Sequence, residues 1–524
     1  MHCSCVRQSE LPSVSPLALD VFYHPDRVAR FYRHPLRDAA SYLAAAAEIR
    51  FPAERRAALI AALRACNPES PSLERLAQPG AVAVVTGQQV GLFGGPAYTV
   101  YKALHAVKLA EWLTANGQPA VPVFWLATED HDFAEVSHVW VFNAENRPAK
   151  VEVAREAGAQ PVGGVALPAP PLSELRDGMA GLPFADEAAN LVEESYRPGA
   201  TMGEGFGALL RRLLGGFDIL QVDPMLPQFR ELAAPALRAA VESAAELSAR
   251  VIERGRELAA AGYHAQVHME EDTSLVFLLE GGKRLALRRH GNEYLLNGRR
   301  IGSQELMDKA DSLSPNALLR PVVQDSMLPT AAYIGGPAEI AYLAQSEVLY
   351  SAMLGRMPVD VPRSGFTILD ARSEKLFKRY DLSLPDFFHG EAALRERLSA
   401  KLVPPALTGA LRSTEAAVDG ALDRLRQEMA GFDGTLTGAL DRSARKIRYQ
   451  IGKIGRKAGR EALARDARAG SDARSLHGLV CPEGHLQERL YSILPLLARH
   501  GLDLTAQLHE AIELDCPDHR ILAP

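Results

Sequence analysis

The chain has 524 residues, of which 47% are hydrophobic and 23% charged, and its formal net charge is −6. That length exceeds one ordinary core and predicts a large domain with at least one appended part. The acidic balance argues against nucleic acid or an anionic membrane as the main partner and leaves small molecules or protein. The first residues, MHCSCVRQSELPSVSP, lack a basic segment followed by an apolar one, and no apolar run reaches about 18 residues. Five cysteines, Cys3, Cys5, Cys66, Cys481 and Cys516, are sparse and odd in number, which suits a reducing compartment. The expectation is a cytoplasmic protein.

Residues 16–80 read as helical, with alanine- and arginine-rich periods broken by prolines. Then AVAVVTG ends a short apolar run in glycine, residues 96–116 form an amphipathic helix candidate, and AVPVFWLA is a second buried-strand candidate. Strand, helix and strand make a βαβ unit with parallel strands. An antiparallel insertion is expected at about 265–302, where SLVFLLEGGKRLALRRHGNEYLLNGRR offers three short strands around glycine turns. Strand-like segments resume at LRPVVQDSM, TAAYIGGP and MPVDVPRSGFTIL. The fold class is therefore α/β, with a doubly wound core over residues 1–385.

From 406 the apolar spacing turns helical. Leu407, Leu411, Thr414, Val418, Ala421 and Leu425 step by fours and threes, and so do Leu440, Ala444, Ile447, Ile451, Ile454 and Ala458. Two such helices around GFDGT predict an antiparallel coiled-coil domain at 386–470, with residues 471–524 packing back on the core. The second helix is basic, with ten Lys or Arg against three Asp or Glu over 440–469. A solvated face is the expected reading of that charge. Apolar surface left on a solitary hairpin predicts a homodimer through the coiled coil.

Ligands of open parallel sheets sit beyond the carboxyl ends of the strands. The first strand delivers Thr86, Gly87, Gln88 and Gln89 and then Gly94 and Gly95; the second delivers TEDHDF, with Glu129, Asp130, His131 and Asp132. The glycine loop is neither a Walker A sequence nor a dinucleotide fingerprint. Its glycines and Pro96 nevertheless point a helix N-terminus at the crevice, where an anion is the natural guest and Lys102 adds charge. GGPAYTVY at 94–101 is echoed by GGPAEIAY at 335–342, so Gly335, Gly336 and Glu339 are expected at a second such site. Four ionisable groups behind the most apolar strand are costly unless they bind or react, and His131 suits acid–base work near neutral pH. Arg320, Gln324 and Asp325 add groups for a carboxylate and an ammonium. His131, Glu135 and His138, and His264 with His268, have ligand-type side chains but no recognised zinc spacing, and the pairs Cys481/His485 and Cys516/His519 would form a Cys2His2 site only if the tail folds back, so no metal is predicted.

TGQQVGLFGGPAYTVYKA, PVFWLATEDHDFAEVSHV, LRPVVQDSMLPTAAYIGGPAEIAY, the coiled coil and LQER at 486–489 together closely resemble the bacillithiol biosynthesis BshC family of cysteine-adding enzymes. The resemblance implies a Rossmann-like core with inserted connective segments, a helical coiled-coil domain, and ligation of cysteine to glucosaminyl-malate as the last step of bacillithiol synthesis. It implies small-molecule partners, ATP or another nucleotide among them. On that reading His131 or a neighbouring carboxylate accepts the amine proton, Asp325 holds an ammonium, and the glycine loops hold phosphate or malate. No His-Ile-Gly-His or Lys-Met-Ser-Lys-Ser signature is present, so adenylate chemistry rests on fold analogy. A transferase acting on another amino sugar and a coiled-coil scaffold with a ligand-binding crevice are the alternative classes.

Overall fold

The computed structural model describes residues 2–36, 38–67, 70–153 and 158–524. The chain divides into two compact units, one of residues 1–144, 148–368 and 487–524, the other of 145–147 and 369–486. The boundaries fall at 368 and 486, where the sequence suggested 385 and 470.

The first unit is organised by a parallel sheet of five strands, β1 (Val82–Gln89), β2 (Ala120–Ala127), β3 (Leu220–Val222), β4 (Thr330–Gly335) and β5 (Val359–Pro362), in the order β5-β4-β1-β2-β3. Residues 82–87 of β1 and 120–126 of β2 are buried on both faces, which explains their unbroken apolar runs. From β1 the chain winds outward through β2 to β3, then returns to the opposite side of β1 with β4 and β5. The β1/β4 boundary is thus the switch point where such sheets bind ligands. Thr86, fully buried, ties the two strands there by donating to the Ile334 carbonyl at 2.8 Å. Gly87 is required by a close approach, because a Cβ on it would stand 2.9 Å from the Trp125 carbonyl oxygen of β2.

Three helices place the site: α1 (Tyr98–Ala115) after β1, α2 (Arg320–Met327) before β4, and α3 (Pro337–Met353) after it. LRPVVQDSM, expected as a strand, is α2. Pro321 occupies its first turn, where a missing N–H costs nothing, and all seven residues from Pro321 to Met327 are buried. Residues 16–80 do form short helices, Pro16–Tyr23, Ala39–Glu48, Ala53–Arg64 and Pro71–Ala77 among them. The insertion is a five-stranded antiparallel sheet that also recruits Leu313–Pro315. A further small sheet pairs His2–Val6 with His519–Ala523 and the latter with Phe366–Ile368, so both chain ends belong to this unit.

In the second unit, α4 (Pro405–Phe432) and α5 (Thr437–Arg465) form the expected hairpin. Its seam keeps Val418, Leu440 and Ala444 of the expected series and adds Leu422 and Met429. Leu407, Leu425, Ile447 and Ile454 remain exposed. Among the described residues no helix is long and apolar enough to cross a membrane.

Candidate active site

A cavity of about 670 Å³ opens over the carboxyl ends of β1, β2 and β4. Gln88 and Gln89 of β1, Glu129 and Asp130 after β2, and Gly336 to Glu339 after β4 all line it, together with Arg284 of the antiparallel insertion, Arg320 of α2, and Arg363 and Arg489.

On the β4 side, charge is organised by a buried pair. Lys102, fully buried on the second turn of α1, donates to Glu339 Oε2 at 2.7 Å, to Gln88 Oε1 at 3.3 Å and to the Gly87 carbonyl. Burial lowers the Lys102 pKa and Glu339 opposes it. Burial works against the ionised Glu339 as well, but the Lys102 ammonium, with hydrogen bonds from the Gly336 N–H and Tyr333, holds it below the usual carboxylate range. The anion at the second Gly-Gly-Pro helix start is therefore the protein's own Glu339. Arg320 extends from the start of α2 toward neutral partners only, Gln324 Oε1 at 2.9 Å and the Tyr333 and Tyr342 hydroxyls at 3.3 Å. Among the described residues no carboxylate lies within ion-pair distance of it, and Glu339 acts on it through the shared Tyr333 hydroxyl.

On the β2 side the carboxylates are held by a second network. Gln89 Nε2 donates to Asp130 Oδ2 at 2.6 Å and to Glu135 Oε2 at 3.0 Å. Glu129 is buried, accepting from Ser314 at 2.9 Å with Arg230 at 3.5 Å. Arg284 reaches in from the insertion, donating to Ser314 Oγ, the Pro315 carbonyl and His131 Nδ1 at 3.1 Å, with Asp130 at 3.5 Å. Its guanidinium lies 3.9 Å from the centre of the Phe277 ring, a cation–π contact that fixes its plane.

The C-terminal segment supplies the remaining wall. Glu488, buried, takes both Nη atoms of Arg363, at 2.6 and 3.0 Å, and the Phe366 N–H at 2.9 Å. Burial opposes ionisation of Glu488, yet Arg363 keeps its pKa depressed. The next residue, Arg489, is exposed at the cavity wall and makes no hydrogen bond or ion pair among the described residues. His105 on α1 accepts from the Ser364 N–H at 3.0 Å, and burial, with Arg520 and Arg363, lowers its pKa to about 3.

The parallel sheet, its switch-point cavity and the hairpin coincide with two family models that together span the chain: "Bacillithiol biosynthesis BshC, N-terminal Rossmann-like domain" over residues 1–364 and "Bacillithiol biosynthesis BshC, C-terminal coiled-coil domain" over 366–523. The chain belongs to the bacillithiol biosynthesis BshC family. It is 66% identical over 522 residues to a protein of Solibacter usitatus (strain Ellin6076), covering 100% of both chains. It is 37% identical to one of Koribacter versatilis (strain Ellin345), covering 99% of each, and 36% identical to one of Heliobacterium modesticaldum over 87% of this chain and 86% of that one. Each of these relatives bears the name "Putative cysteine ligase BshC", with which the sequence reading of an amide-forming ligase agrees.

Within this BshC-family fold the residues singled out from sequence divide into three groups. Gly87, Gln88, Gln89, Glu129, Asp130, Arg320, Gly336 and Glu339 line the cavity, and Lys102 lies directly behind it. Thr86, Gln324 and Asp325 are sealed in the core. Asp325 is no ammonium site: its carboxylate accepts from Gln324 at 2.9 Å, Thr330 at 2.6 Å and Tyr350, and burial pushes its pKa up. Asp132 is exposed and caps the short helix Phe133–Val136 by accepting from the Glu135 N–H, and His131 stands beside Arg284 outside the cavity lining. Gly94 and Gly95, with φ of +90° and +63°, turn the chain toward α1, but their N–H groups donate to Gly91 and Leu92 carbonyls. That loop is closed on itself and presents neither amide to an anion. Pro96 precedes α1, which begins at Tyr98. Gly335 ends β4 and is absent from the lining. Sequence reasoning missed Arg284, Arg363 and Arg489. Arg363 follows a strand end and Arg489 closes the LQER motif, the signals by which those two could have been found. Among the described residues no three His, Cys, Asp or Glu side chains group as a metal site.

Proposed function

We propose that this cavity joins cysteine, through its carboxyl group, to the amine of glucosaminyl-malate, the last step of bacillithiol synthesis, with a nucleoside triphosphate as the activating co-substrate. The observation that carries the reading is the polarity of the cavity along the strand order. Arg320, beyond ion-pair distance of any described carboxylate, belongs to the β4 side, and Asp130, which Arg284 reaches at 3.5 Å, belongs to the β2 side. A substrate with carboxylates at one end and an amine at the other matches that order, malate toward Arg320 and the sugar amine toward Asp130.

In the reaction the amine nitrogen forms a C–N bond to the cysteine carboxyl carbon, and one carboxyl oxygen departs on the phosphoryl or adenylyl group it received. The nitrogen sheds a proton, for which Asp130 is the acceptor facing the cavity. His131 accepts from Arg284 and so positions that guanidinium, which in turn orients Asp130. Lys102 is spent on Glu339 and organises the wall; phosphate binding falls to other groups.

The test is incubation of the purified protein with glucosaminyl-malate, cysteine and ATP, followed by mass spectrometry. Product with AMP identifies an adenylate route and product with ADP an acyl phosphate; amide formed only with a different amino sugar, or none with any nucleoside triphosphate, overturns the proposal. Asp130→Asn should lower kcat by about 10²–10⁴-fold. His131→Ala, correctly folded, should lose less, and full activity in it removes His131 from the mechanism.

A further inference from the structure

Beside the large cavity lies a second of about 100 Å³, and the two share one wall, made of Gln88, Gln89, Tyr98, Glu135 and Arg489. On that wall stand one carboxylate and one guanidinium, Glu135 and Arg489, both exposed. Arg489 has no partner among the described residues, and Glu135 is steadied by the Gln89 amide at 3.0 Å. Beyond the wall the small cavity runs between the closed Gly91–Gly95 loop and the strand His138–Phe142, ending on His138, Val139, Trp140 and Leu490.

We infer that the small cavity is the amino-acid subsite, holding the zwitterionic head of cysteine between Glu135 and Arg489 and its side chain against His138 and Trp140. This rests on the ligation proposed above. An α-amino acid carries its ammonium and carboxylate on one carbon, so both must meet opposite charges at one place, and the shared wall supplies both. It also leaves the carboxyl facing the large cavity, where the amine that attacks it is bound, which is the geometry that removes the entropy cost of bringing two reactants together. The small volume restricts the side chain to a short one. Walls of Val136, Val139, Trp140 and Leu490 with a single imidazole, whose pKa burial and the Lys150 ammonium lower against the opposing pull of Glu152 and Glu135, suit a small, soft, weakly polar thiol.

Trp140 makes the assignment measurable without turnover. L-cysteine is titrated into the full chain while tryptophan fluorescence is followed, and glucosaminyl-malate is titrated separately by calorimetry. Cysteine should change the emission of the wild type and not that of Trp140→Phe. Glu135→Gln and Arg489→Gln, both surface changes checked by circular dichroism, should each weaken cysteine at least tenfold and glucosaminyl-malate less than twofold. Unchanged cysteine affinity in both variants, or equal losses for both ligands, overturns the subsite. If the wild type forms product yet the variants bind cysteine normally, the subsite fails and the ligation reading stands; if cysteine binding shifts as expected but no amide forms from glucosaminyl-malate, the reverse holds.

Discussion

Replacing Glu488 by alanine would remove one of two charges from a buried bidentate pair. Arg363 would keep its Ser364 carbonyl contact at 3.0 Å but lose both bonds to Glu488, and the Phe366 N–H would lose its acceptor. Breaking a buried ion pair from one side costs about 3–5 kcal/mol, and an orphaned N–H adds about 1 kcal/mol. Because Arg363 borders the cavity, water relieves part of this, and a loss of about 3 kcal/mol is expected. All three tryptophans, Trp112, Trp125 and Trp140, lie in the first unit, so urea unfolding followed by their fluorescence reads that unit's transition. Replacing both partners by methionine should recover all but about 1 kcal/mol, the cost of the Phe366 N–H that stays without its acceptor, since the two apolar groups leave no unpaired charge. A Glu488→Ala loss under about 0.5 kcal/mol would refute the view that this pair locks the C-terminal segment onto the sheet.

Three further outcomes follow from the same geometry. The folded pKa of His105, about 3, lies below its ordinary 6.5, so the unfolded chain binds its proton first and stability falls as pH drops below about 6.5. Between pH 7 and 5 this group costs about 2 kcal/mol, and His105→Gln should remove that part of the slope in pH-dependent urea midpoints. Arg320→Met should raise the KM for glucosaminyl-malate about 10–100-fold in steady-state kinetics, the worth of a charged hydrogen bond, with little change for cysteine. On the coiled coil, Leu425 is 47% and Ile454 61% exposed. The full chain should sediment as a dimer and Ile454→Glu as a monomer, and identical sedimentation of the two would remove this face from the interface.

The sheet strands and the hairpin helices were legible because their signals are local. Val82–Gln89 and Ala120–Ala127 are apolar runs of strand length bounded by glycine or polar residues, and α4 and α5 repeat at helical spacing over 28 and 29 residues. Even there a local rule had limits. LRPVVQDSM is short and apolar enough for either state, and the tertiary environment settled it as helix by burying it on nearly all sides. The heptad reading gave two helices and, in Val418, Leu440 and Ala444, part of the side on which they meet; Leu422 and Met429 join it from a neighbouring register, because registers of small and apolar residues compete closely.

The site divides along the same line. Sequence alone determined that Gln88, Gln89, Glu129 and Asp130 stand at strand ends, since strand termini and charge clusters are properties of adjacent residues. Only the tertiary structure decided that Glu339 neutralises Lys102 from 237 positions away, that Glu488 fixes Arg363 from 125 away, and that Arg284 enters from the insertion 153 residues beyond His131. Those pairings are set by the strand order and by the return of the chain end to the sheet. No pattern in the sequence encodes a separation of that length, because any of the 58 lysines and arginines was an equal candidate for each carboxylate until the topology brought one of them within hydrogen-bonding distance.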